Sequence, residues 1–184
     1  FNGVLSGTTS ANIPNIPSGS LRIGSCNGIR FWNVAIDEVK IYNTPLTAAQ
    51  VQQDFASSNQ PQKSGSGNAI SFDGVDDKIT INDNPNINFA FNQDFTVDCW
   101  VKIPSTNQPN TAFNFNSILQ KWDNGAAPYP YEIWFTNHTH PTPAFRNKVV
   151  VNRYDGVNNP GIFSNLLLND DKFHHIAFTK RGVV

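Results

Sequence analysis

A side-chain alternation of period two constrains this chain more than any other feature. In Phe95-Thr96-Val97-Asp98-Cys99-Trp100-Val101-Lys102, one face carries Phe, Val, Cys and Val, and the other carries Thr, Asp, Trp and Lys. Successive side chains of a strand point to opposite sides of a sheet, so this run predicts a strand with one buried and one semi-polar face. Shorter runs recur at 20–24, 36–42, 69–73, 78–81, 117–121, 131–135, 148–154 and 174–179. Turn signals separate them: Asn-Gly at 2–3 and 124–125, Asp-Gly at 73–74 and 155–156, and prolines at 85, 104, 109, 141 and 143. Many short strands between frequent turns predict an all-β sandwich or barrel.

A length of 184 residues suits one ordinary domain, and an apolar fraction of 39% supports a sizeable core. Only 15% of residues are charged and the net charge is −1, so there is no basic footprint for nucleic acid. No apolar run approaches the ~18 residues of a membrane span. Cys26 and Cys99 are too few for a disulfide scaffold; they read either as one bridge or as two small buried hydrophobes. The chain opens on Phe1 and contains no Met, which reads as an excised or processed piece. Its few lysines, many polar uncharged residues and many aromatics suit an extracellular or cell-surface setting.

One helix is expected, over 46–55. Thr47-Ala48-Ala49-Gln50 reads as a capping box, and Val51 and Phe55 fall on one face. Residues 56–67, ASSNQPQKSGSG, read as a flexible linker. The plan is therefore a short β-rich piece at 1–55, a joint, and a longer β-rich piece at 68–184. The first is too small to hold a sandwich core alone and must pack on something.

Asn68 to Ile81, with its Phe72-Asp73-Gly74 turn, resembles the opening strands of concanavalin A-like, laminin G-type jelly-roll modules. Phe95 to Lys102 resembles the next strand of that family, and His174 to Lys180 a middle one. Phe1 to Gly7 resembles the strand and turn that follow it. Leu21 to Ser25 and Ile36 to Asn43 resemble the closing strands, and Pro45 to Val51 the final helix. The resemblance implies a two-sheet antiparallel jelly-roll with one short helix, in an unusual order: the closing part precedes the opening part. In a circular permutant, Val184 and Phe1 lie close together. In a slice of a tandem array, each half instead seeks a neighbouring copy through unpaired strand edges.

Asp73, Asp76 and Asp77 fall within five residues in a turn-rich segment, and carboxylates from irregular loops suit a hard cation such as calcium. The resemblance makes the opening and closing strands neighbours, which adds Asp37 to that candidate set and implies a structural calcium. Glu132 and Trp134 share one face of their strand, opposite Tyr131, Ile133 and Phe135. An aromatic ring that stacks on a sugar, with Asn and Arg to fix its hydroxyls, suits glycan binding; the candidates are Trp122, Trp134, Glu132, Asn152 and Arg153. His138 and His140 sit in a proline-rich segment and read as loop residues, and Asn137-His138-Thr139 is a formal glycosylation sequon. No paired-carboxylate pattern of a glycosidase and no nucleophile elbow is present. The sequence therefore points to a non-enzymatic extracellular module for adhesion or carbohydrate binding, with a glycan or cell-surface ligand as partner. The alternative is a structural subunit that polymerises with other copies of itself.

Overall fold

The structure, a computed structural model, describes residues 1–2, 4–8, 19–26, 30–57, 68–90, 92–106, 113–121, 129–154 and 158–182. The strands are β1 (Leu21–Ile23), β2 (Asn33–Tyr42), β3 (Ile70–Asp73), β4 (Ile79–Ile81), β5 (Phe95–Lys102), β6 (Phe115–Lys121), β7 (Tyr129–Thr136), β8 (Val149–Tyr154), β9 (Gly161–Phe163) and β10 (Phe173–Lys180). Helix α1 spans Ala48–Ser57. A six-stranded sheet has the order β4-β1-β6-β7-β8-β9 and a four-stranded sheet the order β10-β5-β2-β3. All pairings are antiparallel, so the protein is an all-β sandwich.

The N-terminal piece supplies an interior strand to each sheet. Leu21 and Ile23 of β1 pair with Ile81 and Ile79 on one side and with Lys121 and Leu119 on the other. In the other sheet β2 pairs with β3 and with β5. Leu21, Ile23, Trp32, Val34 and Ile36 then share one core cluster with Val97, Cys99, Val101, Ile133 and Phe135. Trp32 stacks on Phe135 with ring centroids 4.9 Å apart. At Gly24 the backbone has φ +80°, and a Cβ there would stand 2.3 Å from the Phe72 ring, so this position requires glycine twice over.

The capping box forms as its residues predict: the Gln50 amide nitrogen of the backbone donates to Thr47 Oγ1 (3.2 Å), and the Thr47 N–H donates to Gln50 Oε1 (2.8 Å). The helix docks on the outer face of the four-stranded sheet, where Phe55 stacks on Trp100 at 5.4 Å. This cover explains a departure from the alternation in β5. Its outward residues Thr96, Asp98 and Trp100 are as buried as its core residues.

Two further differences emerge at the ends of the sandwich. The strand expected from Phe1 is a turn, with Asn2 at φ 51° and the Val4 N–H donating to the Phe1 carbonyl. Asn2 instead caps the edge of β10, donating its N–H to the His175 carbonyl and accepting the His175 N–H on Oδ1, both at 2.8 Å. Phe1 and Gly182 line one groove of about 460 Å³; Val184 lies outside the described residues. Cys26 and Cys99 are both buried free thiols, not a bridge.

Candidate functional site

The outward face of the six-stranded sheet carries a polar row set by register. Thr80 faces Arg22, Arg22 faces Gln120, Gln120 faces Glu132, Glu132 faces Asn152, and Asn152 faces Gly161. Directly paired residues of antiparallel strands share a face, so this row crosses all six strands. The inward neighbours Tyr131, Ile133, Val149 and Val151 belong to the core, which confirms the side on which the polar row lies. Its centre, at Gln120, Glu132 and Asn152, is buried, and its ends at Thr80 and Gly161 are exposed.

A second row adds aromatic surface. Ser117 faces Trp134, Trp134 faces Val150, and Val150 faces Phe163. Trp134 is half-buried and stacks on Phe115 at 4.1 Å, while the Arg30 guanidinium lies 4.3 Å over the same Phe115 ring. Phe163 stacks on Phe145 at 4.1 Å. Arg30 also donates to Cys26 Sγ at 3.6 Å. Burial first, and the Glu132 charge second, push the Cys26 thiol above its ordinary range against the opposing pull of Arg30. The thiolate, the reactive form of a cysteine, is disfavoured here.

Of the expected sugar-binding residues, the structure brings Glu132, Trp134 and Asn152 together. Trp122 lies outside the described residues. Arg153 sits elsewhere: next to Asn152 in a strand, it turns inward with Val149 and Val151. Its Nε donates to the Pro130 carbonyl at 2.7 Å, and its guanidinium lies 5.3 Å over the Phe95 ring. Burial pulls it down to about 10. A long amphipathic side chain can line a core edge with its stem, and an aromatic face receives its charge. The residues that the sequence did not point to are Arg22, Arg30 and Gln120; strand register places Arg22 and Gln120 in the row of Glu132, and Arg30 reaches this face over the Phe115 ring.

The carboxylate candidates divide likewise. Asp73, Asp76 and Asp77 are exposed, and each offers an oxygen within 4.8 Å of the others. The Asp73 N–H donates to Asp77 Oδ2 (3.0 Å), and the Val75 N–H to Asp73 Oδ1 (2.7 Å). Asp37 does not join them. It is Asn33 that faces Asp73, and Asp37 lies four residues further along β2, about 13 Å away at strand rise. Asp37 Oδ1 accepts the N–H of Glu38, whose φ of 46° marks the bulge in β2.

His138 is exposed, and His140 is fixed in its loop by the Thr142 N–H at 3.1 Å. The sequon asparagine is occupied by structure: buried Asn137 donates from Nδ2 to the Phe113 carbonyl at 2.6 Å. A glycan on that nitrogen is incompatible with this fold.

The comparison with curated proteins and that with solved structures give no match. A family model does match: residues 1–52, which hold β1, β2 and the start of α1, are similar to the laminin G-type form of the concanavalin A-like lectin/glucanases superfamily.

Proposed function

We propose that the protein is a non-enzymatic, extracellular carbohydrate-binding or adhesion module that takes its ligand on the outer face of the six-stranded sheet. The half-buried Arg22, Trp134 and Phe163, set on one face by the polar and aromatic rows over a buried polar centre, carry this reading. Sugars require both groups, since a ring stacks on the apolar face of a pyranose and fixed amides, carboxylates and guanidinium groups read its hydroxyls. Among the described residues of the two rows, Glu132 is the one carboxylate, whereas glycoside hydrolysis uses two carboxylates flanking the bond. The likeness of residues 1–52 to the concanavalin A-like lectin/glucanases superfamily supports a carbohydrate ligand.

Calcium fits the Asp73 turn. A hard cation takes six to eight oxygens at ~2.3–2.6 Å, so ligand atoms across it stand up to about 5 Å apart, as these three carboxylates do. The ion would hold the loop between β3 and β4 in one shape.

The test is a glycan array followed by calorimetry. Binding should weaken about tenfold or more in Trp134→Ala and in Arg22→Gln, both half-buried on this face, with the fold intact by circular dichroism. A folded protein that binds no glycan on the array overturns the reading. Concentration-dependent growth into open-ended assemblies by light scattering would move the role to self-polymerisation.

A further inference from the structure

The outer face of the four-stranded sheet holds a cluster that glycan binding does not use. Asp98 of β5, His175 of β10 and Asp54 of α1 each offer one ligand atom, and all three atoms lie within 4.8 Å of one another. Asp98 and His175 are each 1% exposed. Neither oxygen of Asp98 and neither ring nitrogen of His175 has a hydrogen-bond partner among the described residues. Their nearest approach, His175 Nε2 to Asp98 Oδ1, is 3.9 Å, too long for a hydrogen bond and open enough for an ion between them. Four orphaned polar atoms on two buried side chains are far from the rule for folded proteins, and one ion would satisfy the Asp98 carboxylate and one His175 ring nitrogen together.

The charges agree. Lys40 is the cation at hand, and its Nζ lies 2.8 Å from Asp54 and 3.3 Å from Glu38. With the three carboxylates ionised, as ligation requires, Glu38, Asp54 and Asp98 exceed Lys40, the cation beside them among the described residues, by two negative charges, which one divalent cation cancels. Trp100 and Phe55 close the other side as an apolar wall. Burial raises Asp98 above the ordinary carboxylate range, and Asp54 beside it adds to this. Burial works the same way on Asp54, but its ion-paired hydrogen bond with Lys40 opposes this, and Asp54 is held low.

We propose that Asp54, Asp98 and His175 bind a zinc ion that fastens helix α1 to the sheet. One imidazole nitrogen with two carboxylate oxygens suits zinc, which takes such ligands at ~2.0–2.2 Å and accepts water as a fourth. The set is wrong for calcium, which wants six or more oxygens. The side chains draw in by about an ångström to reach zinc distances, and half-buried Asp54 on the helix provides the way in.

The test is zinc titration of the untagged chain in competition with a chromophoric chelator. One zinc per chain is expected. Asp98→Asn and His175→Gln should weaken it about 100-fold and Asp54→Asn about tenfold, while Asp77→Asn leaves it unchanged. Cobalt in place of zinc should give the visible bands of a four-coordinate site in the wild type. If Asp98→Asn or His175→Gln fails to fold, Asp54→Asn on the helix surface and the wild-type cobalt spectrum decide. Absence of stoichiometric zinc, binding indifferent to Asp54→Asn, or binding lost in Asp77→Asn overturns the proposal.

Discussion

The two outer faces of the sandwich start from the same sequence pattern and end in different chemistry. On β5 the outward residues are Thr96, Asp98 and Trp100; on β7 they are Glu132, Trp134 and Thr136. Both strands alternate polar and aromatic residues against an apolar core. Helix α1 covers the first set and fixes Trp100 under Phe55, and it encloses Asp98 with His175. The second set continues into a sheet-wide row whose ends are open to solvent. Alternation therefore tells which side chains leave the core, while an element docked from a distant part of the chain decides what those side chains then meet.

The widest break in this comparison is removal of residues 1–57. Both faces should vanish together, because β1 and β2 are interior strands of the two sheets. The remaining 58–184 chain should show no cooperative unfolding transition and no near-ultraviolet circular dichroism. Next comes a paired substitution. Trp100→Ala should cost about 3–5 kcal/mol in chemical denaturation, as for other wholly buried aromatics. Trp134→Ala, at a half-buried site, should cost clearly less and act on ligand affinity instead. Equal losses at both sites would show that the faces are not distinct. A smaller effect is expected of Thr47→Ala, which removes one half of the capping box and should cost about 1 kcal/mol. It should loosen the helix-covered face, seen as faster hydrogen exchange in β5 and β10, and leave β7 and β8 unchanged.

The smallest effect concerns pH at the rim of the six-stranded sheet. Buried Lys121 donates to the Gly19 carbonyl and to Asp83 Oδ1 (2.6 Å), and this bond holds the Asp83 carboxyl below its usual range. A carboxylate lowered in the folded state adds stability above its unfolded value of ~3.9 and loses it as pH falls through the folded value. Acid below about pH 4 should therefore destabilise the wild type by this route. Asp83→Asn should flatten that part of the acid limb in a stability-versus-pH series.

Much of the fold was legible in the residues. Phe95–Lys102 is a strand to the residue, because eight alternating positions leave one reading. The capping box was legible because both of its hydrogen bonds are local, although the helix expected over 46–55 runs from Ala48 to Ser57, with Thr47 as its cap. Strand β9, Gly161–Phe163, was illegible: three residues opening on glycine carry no period, and the strand exists through its pairing with β8. The candidate site was legible in part. Glu132 and Trp134 share a face by alternation alone, but Arg22 and Gln120 join them only through register. Arg153 looked outward as a charged residue beside Asn152, yet alternation with Val149 and Val151 sends it inward, where Phe95 receives it. Asp54, Asp98 and His175 come from a helix and two strands far apart in the chain, and no spacing rule links them.

The interleaving of the two pieces also sets the timetable of folding. Every ladder that β1 and β2 make is with a strand that follows them: Leu21 waits for Ile81 and Lys121, and Tyr42 for Thr96. During synthesis β1 and β2 therefore leave the ribosome before any of these partner strands, and their ladders are complete only once β6 has appeared. Non-local pairing of this kind is slow to form and exposed to wrong partners. The Ser-, Gln- and Gly-rich stretch between the two strand-forming pieces, with almost no apolar side chains at 58–67, gives those waiting edges little to aggregate with.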